Sequence, residues 1–181
     1  MSILLAFLPF LGFALVDRFI GSTEALIVGA LISAAMIGRD FLAGRSPKIL
    51  EIGTLILFVV LALYVFLLSP AWSLWIIRLL VDLGLLVIVL VSMLIGKPFT
   101  LQYARESVDP ALHNSREFLR VNYVITGVWA VAFAVMVLAD LVLAFMPEVP
   151  QHIGIIITVI ALVGAIKFTS WYPSRDRQTP G

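Results

Sequence analysis

Residues 74–96 read LWIIRLLVDLGLLVIVLVSMLIG, an apolar run that contains only two charged residues, Arg78 and Asp82. An α-helix needs about 20 residues to cross the hydrocarbon core of a bilayer, and this run is long enough. Irregular backbone is excluded at that depth, because lipid offers no partner for N–H and C=O groups. The stretch therefore predicts a transmembrane helix, and with it an all-α membrane protein.

The composition of the whole chain agrees with this interpretation. Of 181 residues, 62% are hydrophobic and 13% are charged, whereas soluble domains contain roughly 25% charged residues. The chain has no cysteine, which excludes disulfides and thiolate chemistry, and its two histidines, His113 and His152, give little support to haem or metal ligation. We therefore expect no cofactor and no metal site. The net charge of +1 gives no indication of nucleic-acid binding.

The chain contains six separate hydrophobic runs, and each run predicts a membrane helix in a polytopic helical bundle. They are residues 3–19, 25–38, 52–69, 74–96, 121–145 and 153–168. The second and sixth runs are short for a perpendicular crossing, so their ends must take in neighbouring residues or the bilayer must thin. The first run lacks a basic leader and a small-residue cleavage site, which disfavours a signal peptide. We predict a single membrane domain over residues 1–181.

The positions of the basic residues predict the orientation of these spans. Short cytoplasmic loops of membrane proteins retain Lys and Arg. With six spans, ten of the twelve basic residues fall on one side of the membrane, and only Arg18 and Arg78 fall on the other. Both termini, including the tail 169–181, are therefore predicted to be cytoplasmic. An arrangement with five spans would place the C-terminal basic residues outside, which this distribution disfavours.

The longest polar stretch, residues 97–120, lies on the basic side and is broken near Asp109 and Pro110. It carries a modest apolar stripe formed by Leu101, Tyr103, Ala104, Val108 and Leu112. The stripe favours two short interfacial helices along the lipid headgroups. A solvated basic loop is the alternative, and the sequence does not choose between them.

Ionisable residues inside apolar spans are the best functional candidates, because a charge in lipid costs at least about 2.5 kcal/mol on insertion scales. Arg78 and Asp82 are four residues apart on one helix face and can pair, although Arg78 could instead extend to the outer interface. Asp140 has apolar neighbours on both sides. Similar depths make an Arg78, Asp82 and Asp140 cluster possible. Such a cluster would serve as a proton or cation relay. In membrane proteins, polar residues inside the bundle more commonly hold helices together through hydrogen bonds or ion pairs.

Other charged residues have structural interpretations. Asp17, Arg18 and Glu24 are predicted to form a solvated turn after the first helix. Glu51 opens the third helix, where a carboxylate interacts favourably with the helix dipole. We expect neither group to carry function.

Small residues and one proline predict how the first two helices pack. Small residues at intervals of four favour close helix approach, either within a bundle or in a homo-oligomer. The predicted packing face contains Gly29, Ser33, Ala34 and Gly38. Pro9 removes one backbone hydrogen bond from the first helix, and Gly12 follows closely, so we expect a kink and a candidate hinge there.

No catalytic motif is present. The chain lacks GxSxG, Walker, HExxH and GxGxxG patterns, and the serines in the spans have no evident general base. We therefore predict that the protein is not an enzyme and has no catalytic residues. An enzyme acting on lipid is the least favoured of the possible functions.

Four segments stand out for their order and composition: FLPF at 7–10, EALIVGALI at 24–32, the Lys97-Pro98 pair and WAVAFAVMVLADLVLAFMP at 129–147. Together they resemble the bacterial intracellular septation protein A (YciB) family. The chain departs from the family at Asp140, where we expect an uncharged residue such as Asn, and in the loop after Pro98. The resemblance implies a multi-pass protein of the bacterial inner membrane that maintains the cell envelope or assists septation. Family members are often drawn with five spans.

Two functions follow as expectations from these observations. The first is an envelope-maintenance or septation protein that acts through membrane-protein partners, such as the division machinery. The second is a transporter of a small solute, an ion or a lipid that uses Asp82 and Asp140. Transport predicts a polar cavity that reaches these carboxylates, whereas an interaction protein predicts that they are packed and paired.

Overall fold

The computed structural model of the chain describes residues 3–68, 74–146 and 148–176. Within these ranges the chain is all-α, as predicted, and contains no strand. The α-helices are α1 (Leu8–Phe19), α2 (Ser22–Leu42), α3 (Ile49–Leu68), α4 (Leu74–Leu94), α5 (Phe99–Ala104), α6 (Arg116–Phe145) and α7 (Gln151–Asp176). Two 3-10 helices span Ile3–Phe7 and Pro110–Leu112.

Among the described residues, five helices are long and apolar enough to cross a membrane: α2, α3, α4, α6 and α7. Many of their large apolar side chains face outward, for example Leu31 on α2, Ile56 on α3 and Ile160 on α7. Such exposure would be costly in water and is favourable in lipid. The chain is therefore a multi-pass membrane protein.

The short second and sixth hydrophobic runs gain length from their neighbours. The second run becomes α2, with 21 residues, and the sixth becomes α7, with 26. Residues 116–120, the end of the predicted inner-face loop 97–120, instead form the first turns of α6. The reason is local, because the Ser115 hydroxyl caps this helix by accepting the Phe118 N–H at 3.2 Å.

The first hydrophobic run changes helix type near its start. A 3-10 helix ends at Phe7 and α1 begins at Leu8, so Pro9 lies in the first turn of α1. At this position the missing N–H of proline breaks no helical hydrogen bond. The predicted kink at Pro9 is thus a junction between two helix types, and its use as a hinge stays a prediction. Standard rises give the two segments a combined length of about 28 Å.

The side on which each terminus lies can be tested with topology reporters. We expect a reporter fused before Met1 and another fused after Gly181 both to be cytoplasmic, because the basic residues are so unequally divided between the two sides. Alkaline phosphatase and green fluorescent protein fusions report opposite sides of the membrane and control for each other. An external C-terminus combined with a cytoplasmic N-terminus would contradict the six-span arrangement.

The contacts between residues divide the chain into two compact units, residues 1–88 and 89–181. The division falls within α4. In the first unit, α2 packs against both α1 and α3. The buried ring of Phe58 lies 5.7 Å from the ring of Phe13 and 5.3 Å from that of Phe10, measured between centroids. These aromatic contacts join α1 to α3 and form the centre of the core of this unit.

The small residues of α2 fall on two different faces. Gly29 and Ser33 are buried, whereas Ala34 and Gly38 are exposed in the first unit. A Cβ atom added to Gly29 would lie 2.8 Å from the Phe58 ring, so glycine permits this close approach of α2 to α3. Only one half of the predicted packing face is therefore used within the unit. Gly12 likewise approaches α2 closely, at the side chain of Ile32.

Substitution of Gly29 by Ala tests this close approach. We expect Gly29→Ala to lower the free energy of unfolding by about 1 to 3 kcal/mol, because the new methyl group would displace a buried ring. Gly38→Ala is the matched control, since nothing lies within 4 Å of its added Cβ. The control should be neutral or should stabilise the helix by up to about 1 kcal/mol. Thermal unfolding of the purified proteins in detergent measures both, and equal effects would contradict the packing described here.

In the second unit, α6 packs along α7, and α5 packs against α6. The rings of Phe99 and Trp129 meet edge to face, with centroids 6.4 Å apart. The indole N–H of Trp129 donates to the Thr169 hydroxyl at 2.9 Å, which links α6 to α7. An aromatic side chain thus joins α5 to α6, and another contact of Trp129 joins α6 to α7.

The segment between α4 and α6 contains two short helices, as the first of its two interpretations predicts: α5 and the 3-10 helix Pro110–Leu112. Phe99, Leu101 and Tyr103 of α5 are buried, so α5 is part of the core of its unit. The polar side chain of Thr100 anchors it by donating to the Asn122 carbonyl at 3.0 Å. Beyond α5 the chain turns through exposed residues, with Leu112 about half exposed. The apolar stripe is therefore divided between a buried and an exposed part.

Candidate functional site

The buried face of α2 ends in a carboxylate. Gly29, Ser33, Met36 and Asp40 are buried at intervals of three or four residues, so they share one face of the helix. Asp40 has no solvent exposure. Asp40 is not among the residues predicted from the sequence to carry function, although it continues the 3.6-residue spacing of the buried positions before it. A carboxylate at such a position requires partners.

The turn after α2 brings those partners to Asp40. Gly44 adopts a left-handed conformation with φ +66°, which glycine tolerates without a steric penalty. Its N–H donates to the Phe41 carbonyl at 3.0 Å, and the Arg45 N–H donates to the Asp40 carbonyl at 2.8 Å. These two bonds form a Schellman motif, which ends the helix and reverses the chain. Arg45 and Lys48 are thereby returned to the end of α2.

Three cations bind the Asp40 carboxylate. Oδ1 accepts from Arg45 Nη2 at 2.7 Å and from Arg39 Nη2 at 3.0 Å, and Oδ2 accepts from Lys48 Nζ at 2.6 Å. Lys48 is 3% exposed, whereas the arginine side chains are 45% and 42% exposed. Charge-assisted bonds of this length are among the strongest in proteins. Asp40 therefore holds the turn between α2 and α3 to the end of α2.

Glu51 extends this group onto α3. Its Oε2 accepts the backbone N–H of Lys48 at 3.3 Å, as a capping glutamate does, and its Oε1 lies 3.8 Å from Lys48 Nζ. The capping position agrees with the structural role expected for Glu51. The residue is also 2% exposed, which the sequence did not indicate. We name the five residues Arg39, Asp40, Arg45, Lys48 and Glu51 the Asp40 cluster.

A second ion pair, with one further hydrogen bond, links α1, α2 and α4 in the first unit. Arg78 of α4 donates from Nε to Asp17 Oδ2 of α1 at 3.1 Å, and the Ser22 hydroxyl of α2 donates to Asp17 Oδ1 at 2.7 Å. The guanidinium also lies over the ring of Trp75, 5.3 Å from its centroid. Asp17 is 6% exposed, so the solvated turn predicted around it is wrong for this residue. Its burial follows from these two partners on other helices.

The three candidates of the sequence analysis belong to different units. Arg78 and Asp82 lie on the part of α4 in the first unit, and the ion pair of Arg78 is formed with Asp17. Asp82 is half-buried. Asp140 lies on α6 in the second unit and is 6% exposed.

Uncharged polar side chains are also buried in the second unit. Because Thr100 gives its one hydroxyl proton to Asn122, the 2.8 Å contact between Thr100 and Thr126 must be donated by Thr126. The Asn122 amide donates to the Phe118 carbonyl at 2.8 Å. The Ser92 hydroxyl accepts the Phe99 N–H at 3.1 Å. These bonds attach α5 to α6 and to the end of α4, so they have a structural role.

One cavity of about 260 Å³ lies between α6 and α7 in the second unit. Its lining is apolar and includes Ala139, Leu143 and Ile157. An apolar cavity of this kind suits a hydrocarbon group better than an ion. Among the described residues, no group of three or more His, Asp or Glu side chains is placed to hold a metal ion.

Comparisons with known proteins return no relative for this chain. No family model matches it, and neither a curated protein nor a solved structure does.

Proposed function

We propose that the protein is a non-catalytic membrane protein that acts through contacts with other membrane proteins in maintenance of the cell envelope. The observation that carries this proposal is the use of buried charge in the first unit. Asp17 and Asp40 each bind cations from another helix or from an adjoining turn. Such ties stabilise a fixed arrangement of helices, which suits a scaffold for partners better than a moving transporter.

The narrower assignment to septation or cell division in a bacterial inner membrane is part of the same proposal. Its support is the resemblance of the segments at 7–10, 24–32 and 129–147 to the intracellular septation protein A family. The predicted cytoplasmic position of both termini adds to this proposal. On that side, the exposed turn at residues 105–112 is the surface that we assign to partner contact.

In-cell crosslinking tests the partner proposal. A photoreactive amino acid placed at Leu112, which is 52% exposed, should capture a specific membrane protein of the envelope. The same amino acid at Leu15 of α1, 62% exposed on an apolar helix, is the control and should capture lipid. Identification of the captured protein by mass spectrometry must be followed by the reciprocal crosslink. Recovery of only lipid and abundant bystanders at Leu112 would contradict the proposal.

Transport is the second candidate function, and one observation favours it. Glu51 Oε1 and Thr54 Oγ1 are fully buried on α3 and have no hydrogen-bond partner among the described residues. Buried polar atoms of this kind in membrane helices often mark paths for protons or solutes. If the protein transports an ion, Glu51→Gln should abolish flux in proteoliposomes. Asp82→Asn and Asp140→Asn test the carboxylates expected from the sequence in the same assay.

A further inference from the structure

The cavity between α6 and α7 has a buried floor and an exposed rim. Its floor contains Ala139 and Leu143 of α6 and Gly154 of α7, all of which are buried. At its rim, Leu138 and Val142 of α6 are 63% and 39% exposed. The cavity is therefore a groove that opens on the outer surface of this helix pair, and we name it the α6–α7 groove. The small size of Ala139 and Gly154 gives the groove its depth.

The α6–α7 groove lies near one end of the helix pair. Both helices are long and apolar enough to cross a membrane, so the turn that connects them emerges at the bilayer surface. At 1.5 Å per residue, Val135, the lining residue farthest from this turn along α6, lies about 15 Å from Phe145, where α6 ends. The hydrocarbon of one leaflet is also about 15 Å deep, half of the bilayer core. The groove therefore runs through the acyl-chain layer of a single leaflet.

The lining of the groove fits an occupant without polar groups. Every described residue that lines it is aliphatic or glycine, so it offers no side-chain hydrogen bond or charge to a ligand. Its volume is about 260 Å³. An apolar cavity of about 150 Å³ in a soluble protein already holds a benzene molecule. The groove thus has room for a hydrocarbon segment larger than a benzene ring.

The rim of the groove disfavours a helix of another protein or of a second copy. Membrane helices approach each other closely at small residues, whereas this rim carries the branched side chains of Leu138, Val142 and Ile153. These side chains hold another backbone away from the floor, but a thin flexible chain can pass between them. A stable protein interface also buries about 800 Å² on each partner. A groove that follows only about 12 Å of α6 does not supply this area by itself.

We propose that the α6–α7 groove binds one acyl chain of a membrane phospholipid. The chain enters beside the turn between the two helices, where the headgroup lies at the bilayer surface, and extends toward Val135. Ala139, Leu143 and Gly154 contact it from below, and the branched side chains of the rim contact it from both sides. Because the chain binds the folded helix pair, it stabilises the packing of α6 against α7.

Photolabelling of the full-length protein in phosphatidylcholine vesicles tests this site. The probe is a phosphatidylcholine with a diazirine in the middle of one acyl chain. After irradiation, we expect tandem mass spectrometry to find label on the buried floor residues Leu143 and Gly154. Bulk lipid reaches only exposed side chains, such as Ile160 of α7, which is 66% exposed. Label on exposed residues alone would overturn the proposal.

A substitution that fills the groove gives the second measurement. Ala139→Leu should abolish the label on Leu143 and Gly154 and leave the label on Ile160 unchanged. The control is Gly164→Leu, which adds bulk on α7 at an exposed position where no described atom lies within 4 Å of an added Cβ. It should keep the wild-type pattern of label.

Thermal unfolding in detergent shows whether both variants are folded, and if Ala139→Leu is not, the wild-type pattern decides. Floor label that persists in folded Ala139→Leu, or that is lost equally in Gly164→Leu, would overturn the proposal. So would complete loss of the floor label on addition of palmitic acid in an amount equal to the probe. That result would assign the groove to a free fatty acid.

Discussion

Replacement of Asp40 by Asn should lower the free energy of unfolding by about 3 to 5 kcal/mol, the usual cost of removing one partner from a buried ion pair. The change leaves Lys48, which is 3% exposed, without the carboxylate oxygen that lies 2.6 Å from its Nζ. Arg39 and Arg45 are half exposed and can turn toward water, so most of the loss comes from Lys48. Thermal or denaturant unfolding of the full-length protein in detergent measures the effect.

Asp109→Asn is the matched control, because it makes the same chemical change at an exposed position. Asp109 accepts the Ala111 N–H at 2.9 Å, and the amide oxygen of Asn can accept the same bond. We expect a change within about 0.5 kcal/mol for this control. If Asp40→Asn were as harmless as Asp109→Asn, the Asp40 cluster would not be a structural tie.

Replacement of Arg78 by Gln should lower the free energy of unfolding by about 2 to 4 kcal/mol. Asp17 is buried, and the change removes its only cation in the described structure, leaving the Ser22 hydroxyl as its remaining bond. The expected cost is below that at Asp40 because Arg78 is 24% exposed and so is partly hydrated. The same unfolding assay applies.

Arg18→Gln controls for the loss of one positive charge, since Arg18 is exposed and adjacent to Asp17 in the sequence. We expect little change in stability from it. The comparison also separates the two sequence interpretations of Arg78. A harmless Arg78→Gln would indicate that the side chain simply extends to the interface, whereas a large loss supports its tie to α1.

The helices were predictable because a bilayer restricts the backbone so strongly. An apolar run of sufficient length has one solution in lipid, so the existence and order of the long helices follow from hydrophobicity alone. The ends of the helices depend on local bonds that hydrophobicity does not report. The Ser115 cap and the Gly44 turn are both visible in the sequence as residue types, and reading them would have placed the start of α6 and the end of α2.

The ion pairs were harder to predict because they depend on which helix faces meet. Arg78 has a same-helix candidate in Asp82, but its ion pair with Asp17 crosses 61 positions of sequence. Asp40 is close in sequence to Arg39, Arg45 and Lys48, but a count of basic residues for topology does not show that they pair with it. Its spacing from Ser33 and Met36 placed it on the buried face of α2, and that spacing was the available signal.

A double-mutant cycle between Asp40 and Lys48 tests the central claim that buried charge here ties helices together. Asp40→Leu removes the carboxylate that lies 2.6 Å from buried Lys48, and Lys48→Met removes the most buried of the three cations on Asp40, so each should destabilise the protein. The double variant removes the charge of both residues. We expect the double variant to have a higher free energy of unfolding than either single variant. The interaction energy between the two substitutions should be about 2 kcal/mol or more. Losses that add to within about 0.5 kcal/mol would show that the two residues act independently and would contradict that claim.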